Sequence, residues 1–167
     1  MLRGRKAMTG VLASAVVLLL AGCSEDDHAR ERADDADQQA WMSQMTAQFG
    51  DGADSRGGLG GRLIASDSGS PAASGSMQSA VAGRYDLVAV CRSTTHVHVT
   101  VRTFRDVGGD VTRAGATLGQ VDVTCGTTAR TTIDVPSGSD GLVIEATTAD
   151  RSGRALFDTF ILDPAPS

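Results

Sequence analysis

Two histidines and two cysteines in the second half of the chain are the residues whose types and spacing could do chemistry. His96 and His98 are two positions apart. On a strand, i and i+2 point to one side, which sets the imidazoles about 7 Å apart at their Cβ atoms. Zinc or copper can use such a pair when a neighbouring strand supplies a third ligand. Asp86 and Asp122 are the conceivable donors. Without that third ligand the pair decorates a solvent face beside Thr100 and Arg102, and this is the reading adopted: no bound metal and no cofactor is expected. Cys91 and Cys125 are the other pair. Their spacing is nothing like C-x-x-C, so a thiol or metal site is disfavoured against a disulfide.

The rest of the sequence offers no comparable motif. Gly138-Ser139-Asp140-Gly141 lacks the G-x-S-x-G frame of a nucleophile elbow and reads as a turn. His28 stands in an acidic stretch, away from any nucleophile motif. Asp34 and Asp35 are adjacent carboxylates in the same polar run, which reads as solvated spacer. The glycine-rich run 57–61 contains no G-x-x-x-x-G-K-[ST] and has no strand-then-helix setting, so it is not a phosphate loop. Aromatic residues are scarce, and Tyr85, Phe104, Phe157 and Phe160 are needed for a core, which argues against a stacking platform for sugars. The chain is not expected to be an enzyme.

The elements that must position these residues begin after residue 22. Arg3, Arg5 and Lys6 open the chain with no acidic residue before position 23. An apolar run follows over 11–20, broken only by Ser14, and small residues Ala21 and Gly22 precede Cys23. A basic start, a short apolar core and small residues at a cut site describe a secretory signal. The apolar stretch is shorter than the ~20 residues that span a bilayer.

Leu20-Ala21-Gly22-Cys23 resembles a bacterial lipobox. The resemblance covers the first 23 residues, and it implies a lipoprotein precursor. The Cys23 thiol would carry diacylglycerol, signal peptidase II would cut before it, and a further acyl chain such as palmitate would follow. Each buried methylene contributes about 0.8 kcal/mol, and two or more chains make a slow-release anchor. The expected location is the extracytoplasmic face of a cell membrane, with the lipid bilayer as a partner through Cys23. Lys6 is the only lysine among many arginines, and Ala, Gly, Asp and Thr are abundant. That usage fits a GC-rich genome such as that of an actinobacterium.

The formal net charge is −5 over 167 residues and becomes −8 when the basic residues of 1–22 are removed. An acidic protein is a poor partner for nucleic acid, whose binding rests on neutralising phosphates. Export also bears on the cysteines: Cys91 and Cys125 would meet an oxidising compartment, and a Cys91–Cys125 disulfide is expected.

Four regions follow in order: signal peptide, 1–22; acidic tether and short helix, 23–49; Gly/Ser-rich linker, 50–79; β-domain, 80–163. In the second, Ala-rich composition without Gly or Pro favours a helix from 24 to about 49, with a stop at Gly50. Trp41, Met42, Met45 and Phe49 make one apolar stripe on it. The stripe has three fates open to it: docking on the β-domain, lying on the membrane or a partner, or staying loosely ordered. The linker is read as flexible coil, with one short strand conceivable at 62–65. From Gly83 the pattern alternates with period two. Runs at 83–92 and 96–104, joined by Ser93-Thr94-Thr95, read as a hairpin. Val107–Ala116 reads as a turn region with a short strand conceivable at 111–113, and further strands are expected at 118–125, 129–135, 142–148 and 154–162.

Six or seven short strands with turn signals between them argue a mainly β fold: a small antiparallel sandwich or open barrel. Cysteine spacing and strand placement resemble an immunoglobulin-like domain, but no tryptophan lies between the cysteines, and that family is not assigned. In composition alone the β-region is similar to small actinobacterial lipoproteins. The expected function is a membrane-anchored envelope lipoprotein displaying a β-domain to an unidentified protein partner; the alternative is a small-ligand or metal carrier using His96 and His98.

Overall fold

The computed structural model describes residues 24–65, 69–78, 81–106 and 112–164. Cys23 and the signal peptide lie outside the described residues. Helix α1 (Ser24–Met45) runs into a π-helical turn, Thr46–Gly50, so the helix expected over 24–49 forms and stops at Gly50. No helix among the described residues is long and apolar enough to cross a membrane. Eight strands follow among those residues: β1 (Ser55–Arg62), β2 (Ala72–Gln78), β3 (Gly83–Arg92), β4 (His96–Asp106), β5 (Thr112–Thr124), β6 (Thr128–Val135), β7 (Gly141–Thr148) and β8 (Leu156–Leu162).

All pairings are antiparallel. The first sheet has the order β1-β8-β3-β6 and the second β2-β7-β4-β5. This is the sandwich that the alternating runs predict. Val97, Val99 and Val101 of β4 point inward to meet Leu87, Ala89 and Cys91 of β3, with Ile133, Ile144 and Phe157 from the other strands. A second, smaller cluster forms on the outer side of the first sheet. Val88, Val90 and Phe160 are buried there under Trp41, Met45 and Phe49, and the Phe49 and Phe160 rings stand 5.6 Å apart. The stripe therefore docks on the sandwich, the first of its three fates. With both faces covered, the middle of β3 is a continuous buried run from Leu87 to Cys91, which is why its alternation is weaker than that of β4.

The region 50–79 is not a linker. It supplies β1 and β2, which are edge strands of the two sheets, so the β-domain begins well before residue 80. Leu63, beyond the end of β1, is fully buried, and its N–H is bonded to Ala155 O (2.9 Å). The physical reason is edge pairing. β1 lies along β8, and β2 along β7, so partner strands impose an extended conformation that Gly- and Ser-rich segments would not adopt alone.

The runs 83–92 and 96–104 are not a hairpin either. β3 belongs to the first sheet and β4 to the second, so Ser93-Thr94-Thr95 crosses between sheets. Among the described strands only β4 and β5 are consecutive in sequence and paired with each other. β5 also starts earlier than expected, at Thr112; positions 107–111 lie outside the described residues.

The chain divides into two compact units, Met1–Ala36 and Asp37–Ser167, with the boundary inside α1. In the first, His28 Nδ1 lies 3.8 Å from Glu31 Oε2 one helical turn on. In the second, residues 37–50 are tied to the strands by Arg92, which donates to both carboxylate oxygens of Asp37 (3.2 and 2.6 Å), and by Arg62 Nε, which donates to Gln38 Oε1 (3.0 Å). The Arg92 guanidinium also sits 5.9 Å from the Trp41 ring, within cation–π range.

Candidate functional site

The two expected cysteine partners are joined. Cys91, near the end of β3, is bonded to Cys125 in the turn after β5, with Cα atoms 4.7 Å apart and a sequence separation of 34. The link crosses from one sheet to the turn leaving the other. Gly126 N donates to Cys91 O beside it (3.1 Å).

The histidines lie on the outer face of the second sheet, opposite the buried Val97, Val99 and Val101, as the alternation predicts. Nothing of α1 covers this face in the second unit, because 37–50 packs on the other sheet. His98 stands across from Asp122 on β5, and Asp122 Oδ1 lies 2.8 Å from His98 Nδ1. On the other side of the ring, Thr100 Oγ1 lies 3.3 Å from Nε2 and accepts from Gln120 Nε2 at 3.4 Å. Arg102 and Glu145 pair beside them (3.4 Å).

A hydroxyl, an imidazole and a carboxylate in this order have the connectivity of a nucleophilic triad. Two features oppose that chemistry. Thr100 is only 6% exposed, so a substrate carbonyl has no approach. β4 is paired on both sides, to β5 and β7, so its backbone N–H groups are committed to the sheet and leave no oxyanion hole at this position. What the arrangement does is fix the His98 ring.

The same geometry bears on a metal. Asp122 is where a donor was sought, against His98, but His96 stands across from Thr124, which adds no carboxylate. Asp86 is on the other sheet and accepts from Arg130 Nη1 (3.2 Å) and Thr132 Oγ1 (3.3 Å), so it cannot join the pair. Among the described residues, no group of three or more His, Cys, Asp or Glu side chains is placed to hold a metal ion.

Sequence reasoning did not find the concave sites. One cleft of about 330 Å³ opens where the two sheets part at one end of the sandwich. Met77, Leu142, Ile161 and Val81 form its apolar walls, and Arg56, Asp163, Tyr85 and Gln78 its polar rim. Val81 is 71% exposed there. Arg56 Nε donates to Asp163 Oδ1 (2.8 Å) and its Nη2 to Oδ2, which holds the Asp163 carboxyl below its ordinary range. Tyr85 Oη donates to Val81 O (2.9 Å). A second cleft, about 290 Å³, lies between Trp41, Met45 and Phe49 on one side and Val90 and the turn Gly126-Thr127 on the other. The first was hidden because Arg56 and Met77 come from the stretch read as linker, and the second because it needs the helix and the Gly126-Thr127 turn brought together.

Two buried carboxyls were also missed. Asp150 accepts from Ser93 Oγ (2.6 Å), Thr94 N (3.1 Å), Thr94 Oγ1 (3.0 Å) and Ser152 N (2.8 Å), and the Ser93 hydroxyl leads in holding it well below the usual carboxylate range. Asp158 is the reverse: a single acid inside the otherwise apolar or neutral β8, 4% exposed. That lone charge in the run LFDTFIL was the available signal.

Comparison with protein-family models, with curated proteins and with solved structures finds no match.

Proposed function

We propose that this chain is a lipid-anchored protein of the cell envelope, held at the extracytoplasmic face through Cys23, which displays a disulfide-bonded β-sandwich as a binding module for another envelope protein. The observation that carries this reading is the Cys91–Cys125 bond. A structural disulfide belongs to an oxidising compartment, in agreement with the basic start, the apolar run and Leu20-Ala21-Gly22-Cys23. The module acts by binding rather than by catalysis, because the His98 arrangement lacks access and an oxyanion hole. The outer face of the second sheet is the surface offered to the partner. Its polar side chains are engaged with one another, His98 with Asp122 and Arg102 with Glu145, so a partner meets a level, preordered polar surface.

The test is metabolic labelling with an alkyne-bearing fatty acid in a bacterial host. The wild type should take the label and fractionate with membranes, and Cys23→Ala should do neither. Label retained by Cys23→Ala, or an unlabelled wild type in the soluble fraction, rejects the anchor.

A second reading, carriage of a small ligand, is favoured by the 330 Å³ cleft rather than by the histidine pair. Its apolar walls and polar rim suit a small amphipathic molecule. Native mass spectrometry of the protein purified from membranes separates the two readings: a stoichiometric small-molecule adduct supports carriage, and its absence supports the binding module.

A further inference from the structure

The segment that docks on the first sheet covers a carboxyl that it does not satisfy. Along β8, Leu156, Asp158 and Phe160 share the outer side of the sheet. Asp158 Oδ1 accepts from Thr159 N (2.9 Å), and Oδ2 has no hydrogen-bond partner. Gly60 of β1 lies beside it, and the room that a Cβ would need there is already taken by Met42 of α1 and by the Asp158 carboxyl. Glycine is required at that position so that helix and acid can both approach. The charged groups sharing this face are Arg62 on β1, Arg84, Asp86 and Arg92 on β3, Asp37 on α1 and, one strand further off, Arg130 and Asp134 on β6, where Asp134 pairs with Arg84 (3.4 Å). Arg62 donates to Gln38 and Arg92 to Asp37, and Asp86 is engaged by Arg130 and Thr132 of β6. None of them bonds Asp158 Oδ2.

We propose that residues 37–50 form a pH-responsive strap on the sandwich, gripping it most tightly when Asp158 is neutral and loosening when Asp158 is charged. A protonated carboxyl is tolerated under Met42, whereas a buried, unpaired carboxylate is costly and gains water when the strap lifts. The strap precedes β1, and lifting it uncovers Val88, Val90 and Phe160.

The direction with pH follows from burial, which pushes the Asp158 carboxyl up from 3.8 to about 6. A group that binds its proton more readily when covered favours the covered state at low pH. The grip is therefore strongest below about pH 4, weakens as pH rises towards 6, and is level above that.

Amide hydrogen exchange of residues 37–50 in the full-length mature protein, corrected for intrinsic rates, tests this. Protection should be roughly 25-fold greater at pH 4.5 than at pH 7.5, and Asp158→Asn should make it independent of pH. Equal protection at the two pH values, or a gain that survives Asp158→Asn, overturns the proposal. So does exchange of 37–50 only together with the β3–β8 amides, since the strap would then not move by itself. Should Asp158→Asn fail to fold, the wild-type Asp158 carboxyl can be titrated by carbon-13 NMR. A midpoint near 6 supports the strap, and one near 4 overturns it.

Discussion

At Asp150 donors from two crossings between the sheets converge on one side chain. Ser93 and Thr94 come from the β3–β4 crossing, and Ser152 from the β7–β8 crossing that holds Asp150 itself. A carboxylate with several donors stays ionised in the folded state, and protonating it weakens those bonds. Its value is lowered on folding, so its contribution is present above about pH 4, its unfolded value being 3.8, and is lost as pH falls below that. Asp158 has the opposite sign and a separate window, between about 4 and 6. Asp150→Ala should lower the thermal midpoint at pH 7 by several degrees, and the variant should lack part of the wild type's decline between pH 4 and pH 2.5. Thermal unfolding at pH 7, 4 and 2.5 checks both. In the sequence the two aspartates differ only in that Asp158 stands alone in an apolar or neutral run. One meets hydroxyls and N–H groups, the other the side of a helix, and only the fold decides which.

Among the elements, the alternating strands were legible and the edge strands were not. Residues 96–101 read correctly because valine alternates with polar residues and each face has one environment. The β1 sequence, SRGGLGGR, and the β2 sequence, AASGSMQ, carry almost no strand preference. Their glycines look like flexibility, but the packing needs all of them except Gly61. A Cβ on Gly75 of β2 would lie 2.6 Å from Leu59 Cδ1 of β1, so Leu59 closes the gap between the sheets only because Gly75 leaves room. Gly75→Val should part β1 from β2 and cost about 1–3 kcal/mol, seen as a lower denaturant midpoint with the fold retained; an unchanged midpoint would mean that this seam is loose. The β3–β4 joint was misread for a related reason. Three polar residues can turn within a sheet or cross between sheets, and the group that selects the crossing, Asp150, lies more than fifty positions away.

For the molecule as a whole, the disulfide is the one covalent link between distant parts of the chain among the described residues. It closes a loop over 34 positions, and on the chain-entropy model that stabilises by about 4 kcal/mol. Reduction, or Cys91→Ala with Cys125→Ala, should lower the unfolding free energy by roughly that amount. Urea titration with and without reductant measures it, and coincident curves would show that the bond adds nothing. The cysteine pairing was legible from number and context alone; the strap, the clefts and the roles of Asp150 and Asp158 required coordinates, because each joins residues from segments far apart in the chain.

The pairing of β1 with β8 sets a timetable. Ser55 lies opposite Leu162 and Arg62 opposite Leu156, so the first strand to be made waits for the last. β8 also lies between β1 and β3 in its sheet. Until residues 156–162 emerge from the ribosome, β1 has no edge to join, and β3 lacks one of its neighbours. Assembly of the first sheet therefore has to follow synthesis of residues 156–162. Contacts across about a hundred residues also make that final step slow for a domain of this size. During that interval the glycines and serines of β1 and β2 are an advantage, because a nascent edge with few apolar side chains gives other chains little to aggregate with.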